Sequence, residues 1–194
     1  MELRRDEYRA GDDIAIVEAW IVPRARAFFR NVWPLYVHEL SAFDTDFYSL
    51  DASGRWMPDI VEDWVAAVTP PQNLLVVRAV DDPAQPFQRT HVITSGGRPV
   101  GFACIAFPPF RYMPDDAEVY LAEYFLIHAA RGTPAATRAL DLLRSRYPGR
   151  WQLRVIHDNE RAIRFWQKAL PAIGAQALEQ RREDEEVVFR FVSG

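Results

Sequence analysis

Apolar residues recur along this chain with two spacings, alternating in some stretches and following the turn of a helix in others. Runs rich in β-branched and aromatic residues predict strands over residues 13–20, 73–80, 90–94, 99–107, 119–127, 151–156, 173–178 and 187–192. Apolar faces with helical spacing predict helices over residues 23–40, 57–68, 134–147 and 160–170. Predicted loops cover 41–55, 81–89 and 108–116, and a hairpin turn covers 95–98. This order predicts an α/β fold with a mixed sheet.

A strand, a turn of small residues and a helix follow one another between Val119 and Leu140. The turn reads Arg131-Gly132-Thr133-Pro134-Ala135-Ala136. Free backbone N–H groups and the positive end of a helix dipole make such a helix start an anion site, and a phosphate or pyrophosphate is its usual ligand. The same residues also fit an ordinary connection, in which Thr133 caps the helix and Pro134 takes its first position. The turn by itself favours this second interpretation.

The composition is that of a globular protein. The chain has 194 residues, of which 49% are hydrophobic and 26% charged, and this length suits one α/β domain with a sizeable core. The formal net charge of −4 argues against a broad nucleic-acid surface. The single cysteine, Cys104, excludes an intrachain disulfide, and its apolar surroundings predict a buried thiol. No apolar run is long enough to span a membrane, so we expect a cytoplasmic protein without a membrane partner.

Four segments carry a resemblance to a known family. They are Gly-Gly-Arg-Pro-Val-Gly-Phe-Ala at 96–103, Glu-Tyr-Phe-Leu at 123–126, the turn at 131–136 and Asn-Glu-Arg-Ala-Ile-Arg-Phe-Trp at 159–166. With these segments and its element order, nearly the whole chain resembles the GNAT superfamily of N-acetyltransferases. Residues 33–43 and 147–155 are also similar to a poorly characterised bacterial branch of predicted acetyltransferases. The resemblance implies that residues 1–194 form a single GNAT-like, acyl-CoA-binding domain, whose mixed, mostly antiparallel central sheet is flanked by helices on both faces.

The resemblance also implies acetyl-CoA as co-substrate, bound where the central strand parts from the next one. The pantetheine arm would pair with the strand backbone, and the pyrophosphate would lie in the turn. The implied contacts are Phe125, Leu126, Ile127, Arg131, Gly132, Thr133, Pro134, Ala135, Ala136, Asn159 and Trp166. The acceptor would be a small-molecule or peptide amine that attacks the thioester directly, with much of the rate gain coming from positioning. The sequence does not indicate an oligomeric state, although this superfamily commonly forms homodimers.

Two positions depart from the family's pattern. Pro134 stands where the family's turn usually has its middle glycine, and proline lacks the N–H that a glycine would offer. Trp166 stands where many members have a tyrosine that can protonate the leaving thiolate, which an indole cannot do. These departures leave an alternative, a catalytically impaired GNAT-fold protein that acts as an acyl-CoA sensor or interaction module. A purely structural partner protein is a third class.

Glu123 and His38 are the candidate catalytic residues. The family often places a substrate-facing carboxylate near Glu123, which makes it a candidate general base, although a strand-end acid paired with an arginine fits the sequence equally well. His38 lies on the first predicted helix, in the region where this fold usually receives its acceptor. His128 could relay a proton, but an exposed loop histidine is the simpler interpretation. No spacing of histidines and cysteines predicts a metal site.

Overall fold

The computed structural model of the chain describes residues 13–19, 22–65, 87–110, 113 and 116–194. These residues form β1 (Ile14–Glu18), α1 (Pro23–Leu40), β2 (Ser49–Leu50), β3 (Trp56–Met57), α2 (Val61–Val65), β4 (Gln88–Ser95), β5 (Arg98–Ala106), β6 (Val119–Leu126), α3 (Ala135–Arg146), β7 (Gly149–Ile156), α4 (Glu160–Ala172), β8 (Gln176–Glu183) and β9 (Glu186–Ser193). A single 3-10 turn at His128–Ala130 lies between β6 and α3. Seven strands form one sheet in the order β1-β4-β5-β6-β7-β9-β8, and β2 and β3 form a separate hairpin.

The sheet is mixed and mostly antiparallel, as the resemblance implies. Every neighbouring pair of its strands runs antiparallel except β6 and β7, which run parallel. The register of this parallel pair extends only from Val119↔Trp151 to Leu121↔Leu153, although β6 continues to Leu126 and β7 to Ile156. The two strands therefore part after Leu121 and leave a gap in the middle of the sheet.

Helices cover both faces of the sheet, which confirms that part of the predicted fold. On one face α1 packs Phe29 and Trp33 against the side chains of β5. On the other face α3 and α4 pack Leu140 and Leu170 against β6, β7 and β9. Each of these helices has one apolar stripe, and burial of that stripe holds the helix to the sheet. Cys104 is buried on the α1 face, and burial raises the pKa of its thiol, so the cysteine is an inert core residue.

Several boundaries follow the local sequence signals closely. The helix predicted over residues 23–40 is confirmed as α1, which begins at Pro23. The predicted hairpin turn is confirmed between β4 and β5, where Gly96 and Gly97 both have positive φ angles, of 55° and 73°. Gly101 is required for a different reason, because a Cβ at this position would lie 2.1 Å from the carbonyl oxygen of Phe125. Strand β5 can therefore approach β6 closely only with glycine at this position.

Three predictions on local structure need correction. The helix predicted over 57–68 is shorter among the described residues, because Met57 belongs to β3 and α2 begins only at Val61. Pro58 follows Met57, and a residue before proline favours extended backbone. The loop predicted over 41–55 contains most of the β2–β3 hairpin.

The strand predicted from residue 173 begins at Gln176, because Gly174 ends α4 with a φ angle of 73°. The N–H groups of Gly174 and Ala175 donate to carbonyls of the last helical turn. The strand predicted over 73–80 lies outside the described residues.

Candidate active site

Glu123 reaches the α1 face of the sheet through an irregularity in the β5–β6 pairing. Ile105 lies opposite Leu121, but the next residue of β5, Cys104, lies opposite Glu123, so β6 carries one extra residue, Ala122, at this point. Regular alternation would direct Leu121 and Glu123 to the same face, toward α3 and α4. The bulge at Ala122 instead places Glu123 opposite Cys104, on the face that α1 covers.

The Glu123 carboxylate is held by a tyrosine of α1. The Tyr36 hydroxyl donates a hydrogen bond to Oε2 of Glu123. Burial raises the pKa of the Glu123 carboxyl from 4.5 to about 7, and the hydrogen bond from Tyr36 opposes this shift in part. Burial, together with the charge of Glu123, also holds the pKa of Tyr36 well above its usual value, so Tyr36 remains a donor. A carboxyl that titrates near neutral pH is suited to act as a general base.

Two further tyrosines lie near Glu123. Tyr48, on the loop after α1, and Tyr120, on β6, lie close enough to Glu123 for its charge to contribute to raising the pKa of both phenols, although burial is the larger cause. Both pack against the aromatic cluster that α1 forms with the sheet. No signal in the sequence marks Tyr36 or Tyr120 as site residues, because they come from two separate segments. Predicting them would have required both the helical period of α1 and the position of the bulge at Ala122 in β6.

The turn between β6 and α3 presents unpaired backbone donors. Gly132, at φ 75°, turns the chain, and the N–H groups of Gly132, Thr133, Ala136 and Thr137 have no acceptor within the described residues. The helix dipole of α3 adds a positive partial charge at the same place. The Thr133 hydroxyl accepts a hydrogen bond from Ala135 N–H at 3.3 Å, but the predicted cap is shifted by one residue, because α3 begins at Ala135 and Pro134 is its N-cap. The donor set of the turn fits a pyrophosphate.

Pro134 has a helical conformation at the edge of this cradle. Its φ and ψ are −62° and −13°, and its carbonyl accepts the first intrahelical bond, from Arg138 at 2.9 Å. Its ring is exposed, and it contributes no N–H to the cradle. The cradle thus keeps the donors on both sides of Pro134 and lacks the one in the middle.

The Arg131 side chain is directed away from the cradle. Its Nη2 donates to both carboxylate oxygens of Glu39 on α1, each at 2.7 Å, and its Nε donates to the carbonyl of Leu126 at 2.6 Å. Its guanidinium also lies 5.3 Å from the centre of the Phe125 ring. The resemblance implies that Arg131 contacts the cofactor. Its side chain instead links the end of β6 to α1, and its backbone N–H donates to the carbonyl of His128.

The backbone expected to pair with pantetheine is only partly available. Ile127 N–H donates to Val100 in β5, and its carbonyl accepts from Ala130. Because hydrogen-bonding groups alternate sides along an antiparallel strand, Phe125 also pairs with β5, whereas Tyr124 and Leu126 face the gap toward β7. The Leu126 carbonyl already accepts from Arg131. Within the described part of the chain, the groups left without a partner are therefore the Leu126 N–H and the backbone of Tyr124.

Asn159 and Trp166 belong to the start and the middle of α4, the helix that follows β7. Asn159 Oδ1 accepts a hydrogen bond from Ala162 N–H at 3.1 Å and caps α4. Trp166 is 5% exposed and packs in the core against Tyr124, with ring centres 5.4 Å apart. Phe165 stacks on the same tyrosine, and the Tyr124 hydroxyl donates to the carbonyl of Ala136. Tyr124 thus joins β6, α3 and α4 beneath the gap.

The remaining candidates lie apart from Glu123. His38 is exposed on α1, where its ring lies 5.6 Å from that of Trp56, and the structure does not bring it into contact with Glu123. His128 has a side chain that is 74% exposed, 3.3 Å from Glu39. Among the described residues no group of three histidine, cysteine or acidic side chains could hold a metal ion. Within the same residues, no helix is both long and apolar enough to cross a membrane.

Comparisons with known proteins agree with this architecture. The chain has the same fold as a candidate GNAT-family acetyltransferase from Desulfovibrio desulfuricans, at 12% identity and a TM-score of 0.57 over 94% of this chain and 100% of the other. It is also similar to an acetyltransferase from Thermus thermophilus, with 15% identity, 92% and 96% coverage and a TM-score of 0.56. A GNAT-family acetyltransferase from Listeria monocytogenes is similar as well, with 13% identity and a TM-score of 0.52 over 93% of this chain and 96% of the other. No curated protein sequence matches the chain.

A sequence profile described as the Acetyltransferase (GNAT) family matches residues 56–170, which is more than half of the chain. The matched segment contains β5, β6, the turn, α3 and most of α4, and so includes the gap, the cradle and Glu123. The chain belongs to the GNAT family of acetyltransferases.

Proposed function

We propose that this protein is an N-acetyltransferase, formed by one acyl-CoA-binding domain over residues 1–194, that moves the acetyl group of acetyl-CoA to a primary amine. Family membership supports acetyl-CoA as the co-substrate. The observation that carries the proposal is the Glu123 carboxylate. It lies on the strand that borders the gap, is hydrogen-bonded by Tyr36, and has a pKa raised by burial to about 7. A group with this pKa can accept a proton at neutral pH.

The residues that would hold acetyl-CoA belong to the end of β6, the turn after it and the starts of α3 and α4. The N–H groups of Gly132, Thr133 and Ala136 would bind the pyrophosphate, and the Leu126 N–H would pair with the pantetheine arm. Asn159 and α4 would form the far side of the gap. The thioester would then lie beside the segment of β6 that carries Glu123, on the opposite side of the strand from β5.

Glu123 would act on the acceptor in the proposed reaction. Its carboxylate accepts one proton from the ammonium form of the acceptor, directly or through one water, and frees the nitrogen lone pair. That lone pair forms the new N–C bond at the acetyl carbonyl while the C–S bond breaks. The nitrogen then gives its second proton, through water, to the departing sulfur, which leaves as CoA thiol, and Glu123 returns its proton to water. One ammonium and one acetyl-CoA thus give one amide, one CoA thiol and one proton, without an acyl-enzyme.

Release of CoA thiol in the presence of a panel of primary amines tests this proposal. We expect turnover that rises with pH through about 7 as Glu123 ionises, and a loss of about 100-fold or more in kcat for Glu123→Gln, because general bases contribute about 10²–10⁴. If acetyl-CoA binds but no amine in the panel is acetylated, the proposal is wrong. It is equally wrong if Glu123→Gln retains the wild-type rate.

Thermal unfolding at two pH values is the folding control for the Glu123→Gln variant. The folded-state pKa of Glu123 is raised from 4.5 to about 7, so this carboxyl favours the folded state at low pH and loses that contribution as pH rises through 7. Glutamine carries no charge at either pH. We therefore expect Glu123→Gln to be as stable as wild type at pH 5 and more stable at pH 8, so an activity loss at pH 8 cannot come from unfolding.

A second candidate function is a GNAT-fold sensor or interaction module with little catalysis. It is favoured by Pro134, which leaves the cradle without its middle donor, and by Trp166, which is buried in the core and offers no acidic proton. Under this alternative acetyl-CoA would bind and shift the unfolding temperature, but no amine would accelerate CoA release. Amine-dependent turnover that is lost in Glu123→Gln would eliminate it.

A further inference from the structure

A cavity of about 280 Å³ lies over strands β7, β9 and β8. Its polar lining consists of Asp116, Arg150, Gln152, Glu179, Arg181 and Arg190. Trp151 and Leu153 face α3 and α4, so alternation along β7 directs Gln152 to the opposite face of the sheet. Among the described residues, the lining includes neither Glu123 nor any part of the turn at 131–136, so this cavity is separate from the candidate active site.

A bulge in β8 borders the cavity. Gln176 lies opposite Val192, and Glu179 lies opposite Arg190. Strand β8 therefore carries one extra residue between these two pairs, and Ala177, in the bulge, has a positive φ angle of 47°. A bulge bends its strand and increases the local twist, and bulges are common at sheet edges and beside active sites. Ala177 and Glu179 both line the cavity, so the bulge shapes its outer wall.

Gln152 is a buried lining residue whose amide donor is unpaired. The residue is 1% exposed, and its Oε1 accepts a hydrogen bond at 2.8 Å from Nε of Arg190, the residue opposite it on β9. This bond identifies the amide oxygen, because a guanidinium nitrogen can only donate. The Nε2 of Gln152 has no acceptor within the described part of the chain. A buried donor without a partner is unfavourable, so an acceptor atom that reached Nε2 would be bound there.

Arg190 presents further donors beside this amide. Its Nη1 lies 3.5 Å from Oδ2 of Asp116, and its Nη2 lies 4.0 Å from Oε1 of Glu183. Both separations exceed the usual length of an N–H···O hydrogen bond. The Arg190 side chain is 31% exposed, so a ligand would reach Gln152 by way of Arg190. A guanidinium next to an amide N–H group is a suitable donor set for the two oxygens of a carboxylate.

The charges around the cavity are nearly balanced. The ion pairs join Arg150 to Glu118 at 3.4 Å, Arg181 to Glu179 at 2.8 Å, Arg190 to Asp116 and Glu183, and Arg154, further along β7, to Glu183 and Glu186. These pairs contain four guanidinium groups and five carboxylates. A dianion such as phosphate would meet this small excess of negative charge, whereas a zwitterion adds no net charge and offers an ammonium group to the carboxylates.

We propose that this cavity binds a small α-amino acid as its zwitterion. The carboxylate of the ligand would accept hydrogen bonds from Arg190 and Gln152, and its ammonium group would donate to Asp116. Ala117 and Val192 also line the cavity and would receive a short apolar side chain. Drug-sized ligands occupy about 300–1,000 Å³, so the smaller volume of this cavity suits a ligand of amino-acid size. The inference is independent of the proposed acetyltransferase activity.

Calorimetric titration of L-valine into the full-length protein tests this inference. Isovalerate lacks the ammonium group of valine and isobutylamine lacks its carboxylate, so each analogue removes one half of the expected recognition. We expect L-valine to bind and both analogues to bind at least about tenfold more weakly, because each loses a charge-assisted contact. We expect inorganic phosphate not to bind. If L-valine does not bind at millimolar concentration, or if isovalerate, isobutylamine or phosphate binds as tightly, the inference is wrong.

Two substitutions locate the binding, and a third is the matched control. Arg190→Leu removes the guanidinium and should weaken L-valine at least about 30-fold, and Gln152→Met removes the amide at nearly constant size and should weaken it about tenfold. Arg182→Leu replaces an exposed arginine of β8 outside the lining and should leave the affinity unchanged. The unfolding temperatures of the three variants show whether each is folded. Wild-type affinity in Gln152→Met, or in a folded Arg190→Leu, would overturn the inference.

The Glu123→Gln variant separates this cavity from the candidate active site. Glu123 is not part of the lining, so we expect the variant to bind L-valine as tightly as the wild type does. Loss of L-valine binding in Glu123→Gln would place the ligand at the candidate active site and overturn the inference. Absence of CoA release from every amine, with L-valine binding retained, would overturn the acetyltransferase proposal and support the amino-acid site.

Discussion

The anion cradle and the group of tyrosines near Glu123 both adjoin β6, but the chain builds them in different ways. The cradle consists of consecutive residues at 131–136, and its donors are unpaired N–H groups at a helix start. The tyrosine group combines Tyr36 from α1, Tyr48 from a loop, and Tyr120 and Glu123 of β6. The cradle is formed by backbone groups and the tyrosine group by side chains. Changes in the first should therefore alter donor affinity, and changes in the second should alter the acceptor and the rate.

The largest effect that would separate the two regions is expected at Ala136, in the first turn of α3. Ala136→Leu places a branched side chain beside the unpaired N–H groups, and we expect it to weaken acetyl-CoA binding about 100-fold, which is about 2.7 kcal/mol. The dissociation constant from calorimetry is the measurement. Ala136→Gly, which keeps the position small, is the control and should stay near the wild-type value. If both variants bind alike, the N–H groups around Ala136 do not contact the cofactor.

The next effect is a gain in affinity at Pro134. Pro134→Ala and Pro134→Gly both restore the missing N–H, and a hydrogen bond to a charged group contributes about 1.5–3 kcal/mol, or about one to two decades of affinity. Alanine should give the greater gain, because glycine adds backbone freedom that binding must then remove. Unchanged acetyl-CoA affinity in both variants would mean that residue 134 does not face the pyrophosphate.

A smaller effect is expected at Arg131, which connects the two regions through Glu39. Arg131→Leu removes the contacts to Glu39 and to the Leu126 carbonyl, and we expect it to lower the free energy of unfolding by about 1–3 kcal/mol. Urea unfolding measures this quantity. Combination with Glu39→Gln gives a double-mutant cycle, in which the two losses should be clearly less than additive. Strict additivity would contradict the coupling of α1 to the turn.

The smallest effect is a shift in the pH profile from Tyr36→Phe. The Tyr36 hydroxyl bond favours the carboxylate form of Glu123, so its removal should raise the pKa of Glu123 further above 7. We expect the acidic limb of kcat/KM to move upward by about one pH unit, while the rate at pH 9 changes little. A profile that keeps its midpoint but falls at every pH would show that Tyr36 acts on something other than the ionisation of Glu123.

The strand, turn and helix around residues 119–147 could be predicted because local signals determine them. β-Branched and aromatic residues define β6, Gly132 and Thr133 define the turn, and the apolar period defines α3. The strand, the turn and the helix could therefore be predicted from the sequence, and the chain's membership in the GNAT family is confirmed. Even here the side chains were less predictable, since the Arg131 guanidinium is directed to Glu39 rather than to the cradle.

The acceptor side could not be predicted in the same way. Alternation along β6 would direct Glu123 toward α3 and α4, and only the extra residue Ala122 reverses its direction. The sequence predicts His38 as a candidate on the first helix, but the helical period of α1 directs Tyr36 toward the core and leaves His38 exposed.

The sequence by itself determined most of the order of the elements, and its resemblance indicated the fold family, because these depend on short-range patterns of apolar, glycine and proline residues. Only the tertiary structure decided which side chains surround Glu123. A bulge, the rotation of α1 and the approach of two loops bring together residues that are far apart in the chain, and their burial raises the pKa of Glu123 to about 7. That value depends on the loss of water around the carboxyl, a property that exists only once the chain has folded.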